Sequence, residues 1–301
     1  MASTAPAGPA VGLILPARDE EQALPLVLQD LPRGVAQRIV VVDNGSRDRT
    51  AEVARAAGAE VVREPRAGYG RACLAGMAAL ARPGPAGEPP LRAGDVVAFL
   101  DADRSDFPEE LPAIVGPLLD GRADFVIGSR ILGGADMRAL LPQAWFGNRL
   151  ACALMRLLFG ARYTDLGPFR ALRWEALRGL GMGDPTFGWT IEMQLKAWSG
   201  GLRVLEVPVR YRARIGRSKI TGTVRGTLRA GAKILGWILA WRVSTWLRAW
   251  ARRPGPRSRA RSRSAATRDP AGSRASTGRG RRSPPRPPGW GAASRPRCRA
   301  R

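Results

Sequence analysis

Two aspartates one residue apart, Asp101 and Asp103, close the apolar run Val96-Val97-Ala98-Phe99-Leu100. Such a run suits a strand covered on both faces, as in a parallel sheet. Two carboxylates at alternate positions on its end repel each other unless something positive lies between them. A hard divalent cation, Mg2+ or Mn2+, takes oxygen ligands and completes its shell with water and substrate phosphate. The pair therefore reads as a metal site serving a diphosphate. The plainer alternative is a polar strand end followed by a turn. A second cluster, Asp43-Asn44-Gly45-Ser46, ends another apolar run and taken alone reads as a turn.

The elements around these residues alternate. Apolar runs predict strands over 11–15, 38–42, 60–63, 95–100, 124–127 and 203–209. Helical spacing falls between them, over 20–31, 50–57, 71–81 and 108–119, with Ser46 or Asp48 as a cap before Thr50. Strands alternating with helices imply βαβ units and a mostly parallel sheet flanked by helices. In such sheets ligands bind beyond the carboxyl ends of the strands. Pro16-Ala17-Arg18, Asp43-Asn44-Gly45 and Asp101-Ala102-Asp103 all sit at such ends, so three polar segments converge on one edge. Further on, helices are expected over 140–159, 187–198 and 227–250, the last with a break, and a Gly-Pro break is expected within 163–172. Residues 212–225 are basic and read as a loop.

The 301 residues carry a net charge of +24, unevenly placed. From Arg252 onward there are 16 arginines against one acidic residue, a charge of +15, which leaves +9 on residues 1–251. That tail of Arg, Pro, Ser, Gly and Ala has too few aliphatics to offset chain entropy and is expected to be disordered. The same composition is what a GC-rich gene read out of frame yields. The chain has no His, and its three cysteines, Cys73, Cys152 and Cys298, form neither a disulfide framework nor a metal-ligand spacing. A reducing, cytoplasmic setting follows as an expectation. Acid–base chemistry must rest on carboxylates or be unnecessary. The N-terminal ten residues lack the pattern of a signal peptide, and no run of 18 uncharged apolar residues predicts a transmembrane helix.

The ordered motifs LPARDEE (15–21), VVVDNGSRDRT (40–50), GYGRACLAG (68–76), FLDAD (99–103) and VIGSR (126–130) resemble family 2 glycosyltransferases of the GT-A fold. The resemblance is nearest to the polyprenyl-phosphate, dolichol-phosphate mannosyltransferase-like group and runs over about residues 11–235. It implies a nucleotide-diphospho-sugar donor, UDP- or GDP-linked. It also implies that Pro16, Ala17 and Glu20 line the nucleotide pocket and that Asp43 contacts base or ribose. Asp101 and Asp103 become a DxD motif holding metal and diphosphate, with Ala102 and Gly70 in the donor-binding set and Arg130 nearby. Two positions depart from the family pattern. Asn44 stands where a second Asp is common, and Tyr69 where a Lys is common, with Arg71 as a substitute for the missing charge.

The second half carries TDLGPFRALR (164–173), FGWTIEMQLKA (187–197) and RIGRSKITGTVRG (214–226). By resemblance, Arg214, Arg217, Ser218 and Lys219 bind a phosphate-bearing acceptor; the alternative is a solvated basic loop. Inverting transfer is one in-line displacement at the anomeric carbon, and a hydroxyl acceptor needs a base. The Glu-Asp common in relatives with sugar acceptors reads Glu192-Met193 here, which leaves Glu192 or Asp165 as candidate bases. A phosphate monoester is already anionic and needs none, so a polyprenyl-phosphate acceptor is the first expectation. Transfer to a sugar or small-metabolite hydroxyl is the second. A reading from another class is non-specific nucleic-acid or anionic-surface binding by the tail, with no specific nucleic acid. The expected organisation is a flexible 1–10, a GT-A domain 11–226, a helix 227–251 and a tail 252–301. Trp237, Trp241, Trp246 and Trp250 with Lys233, Arg242 and Arg248 make that helix either interfacial, on the inner face of a membrane, or part of the core.

Overall fold

The computed structural model describes residues 8–134, 142–216 and 224–251. Arg217, Ser218, Lys219 and the arginine-rich tail lie outside the described residues, as does most of the segment 1–10.

Seven strands form one sheet: β1 (Val11–Ala17), β2 (Arg38–Asp43), β3 (Glu60–Arg63), β4 (Val96–Phe99), β5 (Phe125–Ser129), β6 (Arg170–Arg173) and β7 (Val204–Pro208). Their order across the sheet is β3-β2-β1-β4-β6-β5-β7. The β1–β2, β1–β4, β2–β3 and β5–β7 pairs are parallel, and β6 runs antiparallel to both β4 and β5. The described residues also form eight helices: α1 (Leu24–Gln29), α2 (Thr50–Ala56), α3 (Tyr69–Leu80), α4 (Leu111–Leu119), α5 (Pro142–Phe159), α6 (Trp174–Leu180), α7 (Trp189–Ser199) and α8 (Val224–Ala251), with a 3-10 turn at Pro108–Glu110 before α4.

The central strands are apolar throughout because helices cover both faces. Ile14 and Phe99 point to one side, into a core with residues from α3, α5, α7 and α8. Leu13, Leu15 and Ala98 point to the other, against Leu24 and Val27 of α1 and Leu111, Ile114 and Leu118 of α4. This is the two-residue period of a strand read on both faces. Phe99 is fully buried and meets Trp189 of α7 edge-on, with ring centroids 6.0 Å apart. Gly76 lets α3 lie directly on β1, since a Cβ there would stand 2.6 Å from Ile14.

Two elements were not legible in the sequence. β6 lies inside the stretch read as a Gly-Pro break, and its strand form hides Arg170, only 1% exposed. The Arg170 guanidinium donates to the carbonyls of Leu166, Gly167 and Thr190, which makes a charged residue tolerable at a buried position. Burial pushes its pKa down to about 10. α6 ends at Gly181, left-handed at φ 56°, where a side chain would be strained.

Candidate functional site

The register of β1, β2 and β4 brings the three polar segments to one edge: Ala17 pairs with Asp43, and Ile14 with Phe99 two residues before Asp101. An open cavity lies beyond that edge. Pro16, Ala17, Glu20, Asp101, Ala102 and Asp103 all line it, as does Arg214. Asp43, Gly70, Arg71 and Arg130 are not among the lining residues.

Asp101 sits at the end of β4 with its Oδ1 buried and unpartnered among the described residues. Tyr69 also lines the cavity, and its hydroxyl favours the ionised carboxyl. Burial, and then the neighbouring Asp103 carboxylate, push the Asp101 pKa up to about 7, against the opposing pull of Arg214. Asp103 is 5% exposed. Its Oδ1 accepts the Ser105 N–H at 3.0 Å, and its Oδ2 lies 2.8 Å from the Arg214 guanidinium. Arg214 is brought there by main-chain bonds: the Arg212 N–H donates to Ser105 O and the Ile215 N–H to Asp103 O. Arg104, between the two segments, adopts φ 63°, a strained turn right after the aspartates.

These carboxylates suit a hard divalent cation. An orphaned buried oxygen on Asp101 and two mutually repelling carboxyls are the features a cation would relieve. Among the described residues no three His, Cys, Asp or Glu are grouped to hold a metal by themselves.

Asn44 explains its own departure from the family pattern. Its Nδ2 donates to Glu64 O and Arg66 O, both at 2.9 Å, and its Oδ1 accepts the Gly68 N–H at 2.7 Å. A carboxylate could not make the two donations. Asn44 thus ties the β3 exit to the start of α3 and shapes the cavity wall. Asp43 is buried behind it, accepting the Ser46 N–H at 2.9 Å. Gly70 in α3 has no room for a side chain, as a Cβ would stand 1.9 Å from Asp184 O. Arg71 touches that same segment through its N–H, which donates to Pro185 O at 3.1 Å.

The two candidate bases are otherwise engaged. Asp165 is fully buried and accepts from Arg130 three times, from the main-chain N–H at 2.9 Å, Nε at 2.8 Å and a terminal nitrogen at 2.7 Å. Arg130 in turn stacks over Tyr211. Glu192 is 1% exposed, accepts the N–H groups of Gly183 and Asp184 at 2.9 and 2.7 Å, and pairs with Lys196 at 2.7 Å. Neither carboxylate lines the cavity. In this structure Asp165 holds Arg130, and Glu192 holds the 183–184 turn and Lys196.

Sequence reasoning missed Thr186 and Phe187, which line the cavity with Ala17 and Asp101. The turn residues of Gly183-Asp184-Pro185-Thr186 before α7 were the available signal. It also missed Asp106, 2% exposed with neither oxygen partnered among the described residues. The helix α8 has features of both alternatives expected of it. Lys233, Trp237 and Trp241 face inward, with Trp237 donating to Asp184 and Trp241 to Ser199. Its exposed side carries Leu239, Val243, Trp246 and Leu247.

Comparison with known proteins agrees with this geometry. The family profile described as Glycosyl transferase family 2 matches residues 13–181. An uncharacterized glycosyltransferase of Mycobacterium tuberculosis is 38% identical over 225 residues, covering 73% of this chain and 93% of the relative. The dolichyl-phosphate hexose transferase of Haloferax volcanii is 34% identical, covering 70% of this chain and 86% of its own length. The undecaprenyl-phosphate mannosyltransferase of Micrococcus luteus is 31% identical, covering 70% and 87%. Among solved structures, glucosyl-3-phosphoglycerate synthase from Mycobacterium tuberculosis, in complex with Mn2+, UDP and phosphoglyceric acid, superposes with a TM-score of 0.62. It is 23% identical and the match covers 78% of this chain and 79% of that one, a likeness of fold.

Proposed function

Because this chain belongs to glycosyl transferase family 2, and is a glycosyltransferase of GT-A fold, we propose that it moves a sugar from a nucleotide-diphospho-sugar to polyprenyl phosphate, with inversion. The carrying observation is the Asp101–Asp103 pair at the sheet edge, with one orphaned oxygen and a carboxyl pushed up to about 7. Asp101 and Asp103 would hold Mg2+ or Mn2+. When bound, the ion supplies stabilisation of the charge that gathers on the departing diphosphate.

The chain's own residues do the rest. Pro16, Ala17 and the Asn44-anchored wall enclose the nucleoside, with Glu20 at the rim. Tyr69 favours the ionised form of Asp101 through its hydroxyl. Asp165 positions Arg130, and Glu192 positions the 183–184 turn. Arg214 presents a charged donor at the cavity mouth, suited to an anionic oxygen. A phosphate monoester is ionised at pH 7 and attacks without a base, which fits a site whose two buried candidate bases are both engaged. The named activities of the Haloferax and Micrococcus relatives support the same acceptor class.

No helix among the described residues is long and apolar enough to cross a membrane. The exposed stripe of α8, with Leu239, Val243, Trp246 and Leu247 at helical spacing, supports peripheral contact with the inner membrane face, where a lipid acceptor would be met.

The test is thermal stability of the full chain against UDP, GDP and their sugars, with and without Mn2+, followed by transfer of labelled sugar to polyprenyl phosphate. A ligand at 100 times its Kd adds about 2.7 kcal/mol. A metal-dependent shift with one nucleotide, lost in the Asp101→Ala/Asp103→Ala double variant, and label in the lipid phase are expected. Label appearing only on soluble hydroxyl acceptors would overturn the acceptor.

A further inference from the structure

Thr186 and Phe187 line the cavity, and the short segment 184–187 that carries them is held from two sides. Toward α3, the Gly70 N–H donates to Thr186 O at 3.2 Å and the Arg71 N–H to Pro185 O at 3.1 Å. These are first-turn amides of α3 that have no partner within the helix. The glycines permit this approach, since a Cβ at Gly68 would stand 2.2 Å from Pro185 O.

Toward α8, the hold is by side chains. Asp184 is 5% exposed. Its Oδ1 accepts the N–H groups of Thr186 and Gly188 at 2.7 and 3.2 Å, which folds the segment into a turn. Its Oδ2 accepts from Trp237 Nε1 at 2.7 Å and pairs with Lys233 Nζ at 2.9 Å. Lys233 Nζ also donates to Thr186 Oγ1 at 2.6 Å. Burial would raise the Asp184 pKa, but the hydrogen bonds from Trp237 and Lys233 outweigh it and hold the carboxyl below its ordinary value. The same helix that grips this turn from its inner side carries the exposed apolar stripe on its outer side.

We propose that Asp184, gripped by Lys233 and Trp237, is a positioning residue through which α8 sets the donor cavity: a shift of α8 moves the wall formed by Thr186 and Phe187 and changes sugar-nucleotide affinity. Contact of the outer face with a lipid surface would act on the donor site by this route. The inference rests on the nucleotide-sugar reading for its consequence and on the hydrogen bonds alone for the coupling. Lys233 bonds Asp184 and the cavity-lining Thr186, and Trp237 bonds Asp184, so both act on the cavity through the 184–187 segment.

The experiment uses the full chain and three variants, Lys233→Met, Lys233→Arg and Trp237→Phe. Two measurements are made: local amide hydrogen exchange, and the Kd of the nucleotide–Mn2+ pair that stabilises the wild type. In Lys233→Met, exchange quickens at 68–72 and 183–188 while β1 and β2 keep their protection. The Kd rises about tenfold, within the usual range of coupling between sites, and the loss in transfer falls in the donor KM rather than in kcat. Lys233→Arg restores most of the affinity, and Trp237→Phe shows a smaller loss of the same kind. Unchanged exchange at 68–72 and 183–188 in folded Lys233→Met overturns the coupling. Quickened exchange with an unchanged Kd overturns control of the donor site. A wild type that binds no nucleotide overturns the functional reading and this consequence with it, while the exchange data still decide whether α8 holds the wall.

Discussion

The titration of Asp101 offers the sharpest check on the metal site. Its carboxyl is raised from 3.8 to about 7 by burial and by Asp103. The folded chain therefore keeps a proton that the unfolded chain has released, and stability falls as pH rises from about 4 to about 7. Three units at about 1.36 kcal/mol each give a loss of about 4 kcal/mol, or roughly 8–16 °C in a domain of this size. A divalent ion reverses the sign, because it binds only the ionised pair. Its affinity should fall about tenfold per unit of pH below 7, one proton being displaced per ion. The assay is a set of thermal melts from pH 4.5 to 8, with and without Mn2+, for the wild type and Asp101→Asn. The wild type without metal should lose stability toward pH 7, Mn2+ should restore it most above pH 7, and Asp101→Asn should flatten both trends. Because Asp106 contributes with the same sign, the difference between the two proteins is the quantity that counts. An identical slope in Asp101→Asn, or an Mn2+ effect independent of pH, would refute the reasoning.

Four further outcomes are expected. Asp165→Ala leaves Arg130 charged and buried without its partner, at a cost of about 3–5 kcal/mol; denaturant midpoints should show it, with Asp165→Asn losing less and keeping measurable transfer. Gly70→Ala must displace the Asp184 carbonyl, since the new Cβ would lie 1.9 Å from it; nucleotide affinity should fall well before the fold does, as read by calorimetry beside far-UV circular dichroism. Asp106→Asn removes a carboxyl whose pKa burial and Asp101 hold well above the ordinary value; the variant should outlast the wild type in urea at pH 8, with the advantage shrinking toward pH 4. Arg214→Gln takes away the cation paired with Asp103 at 2.8 Å; Mn2+ alone should bind more tightly, while transfer to a phosphate acceptor should drop, as followed by a metal titration and a labelled-sugar assay.

The sheet was legible where burial on both faces wrote an unbroken apolar run, as in β1, β2 and β4. It was illegible at β6, because a strand beginning and ending on arginine looks like surface until Leu166, Gly167 and Thr190 supply carbonyls to Arg170. The aspartate pair was legible as two like charges at alternate positions closing an apolar run. The fates of Asp165 and Glu192 were not, since a carboxylate's role depends on which donors the fold brings to it, and those donors come from 35 residues away in one case and from a turn nine residues upstream in the other. The inward face of α8 was hidden for a similar reason: Lys and Trp suit an interface and a buried bond to Asp184 equally well.

The departures at positions 44 and 69 form one pattern with Arg214. Asn44 gives up a charge and gains two donations that fix the wall. Tyr69 gives up a cation and packs, partly buried, against the core while lining the cavity with Asp101. Both changes remove charge from the strand-end side of the cavity. The positive group facing the aspartates there comes instead from Arg214, on a segment tied to 103–105 by main-chain bonds and continuing into the basic stretch that precedes α8. Arg214 offsets the Asp103 charge in this structure. Were the aspartates to hold an ion, as proposed, the guanidinium would be freed for another anionic oxygen, and ion and anionic substrate would draw on the same two residues, Asp103 and Arg214.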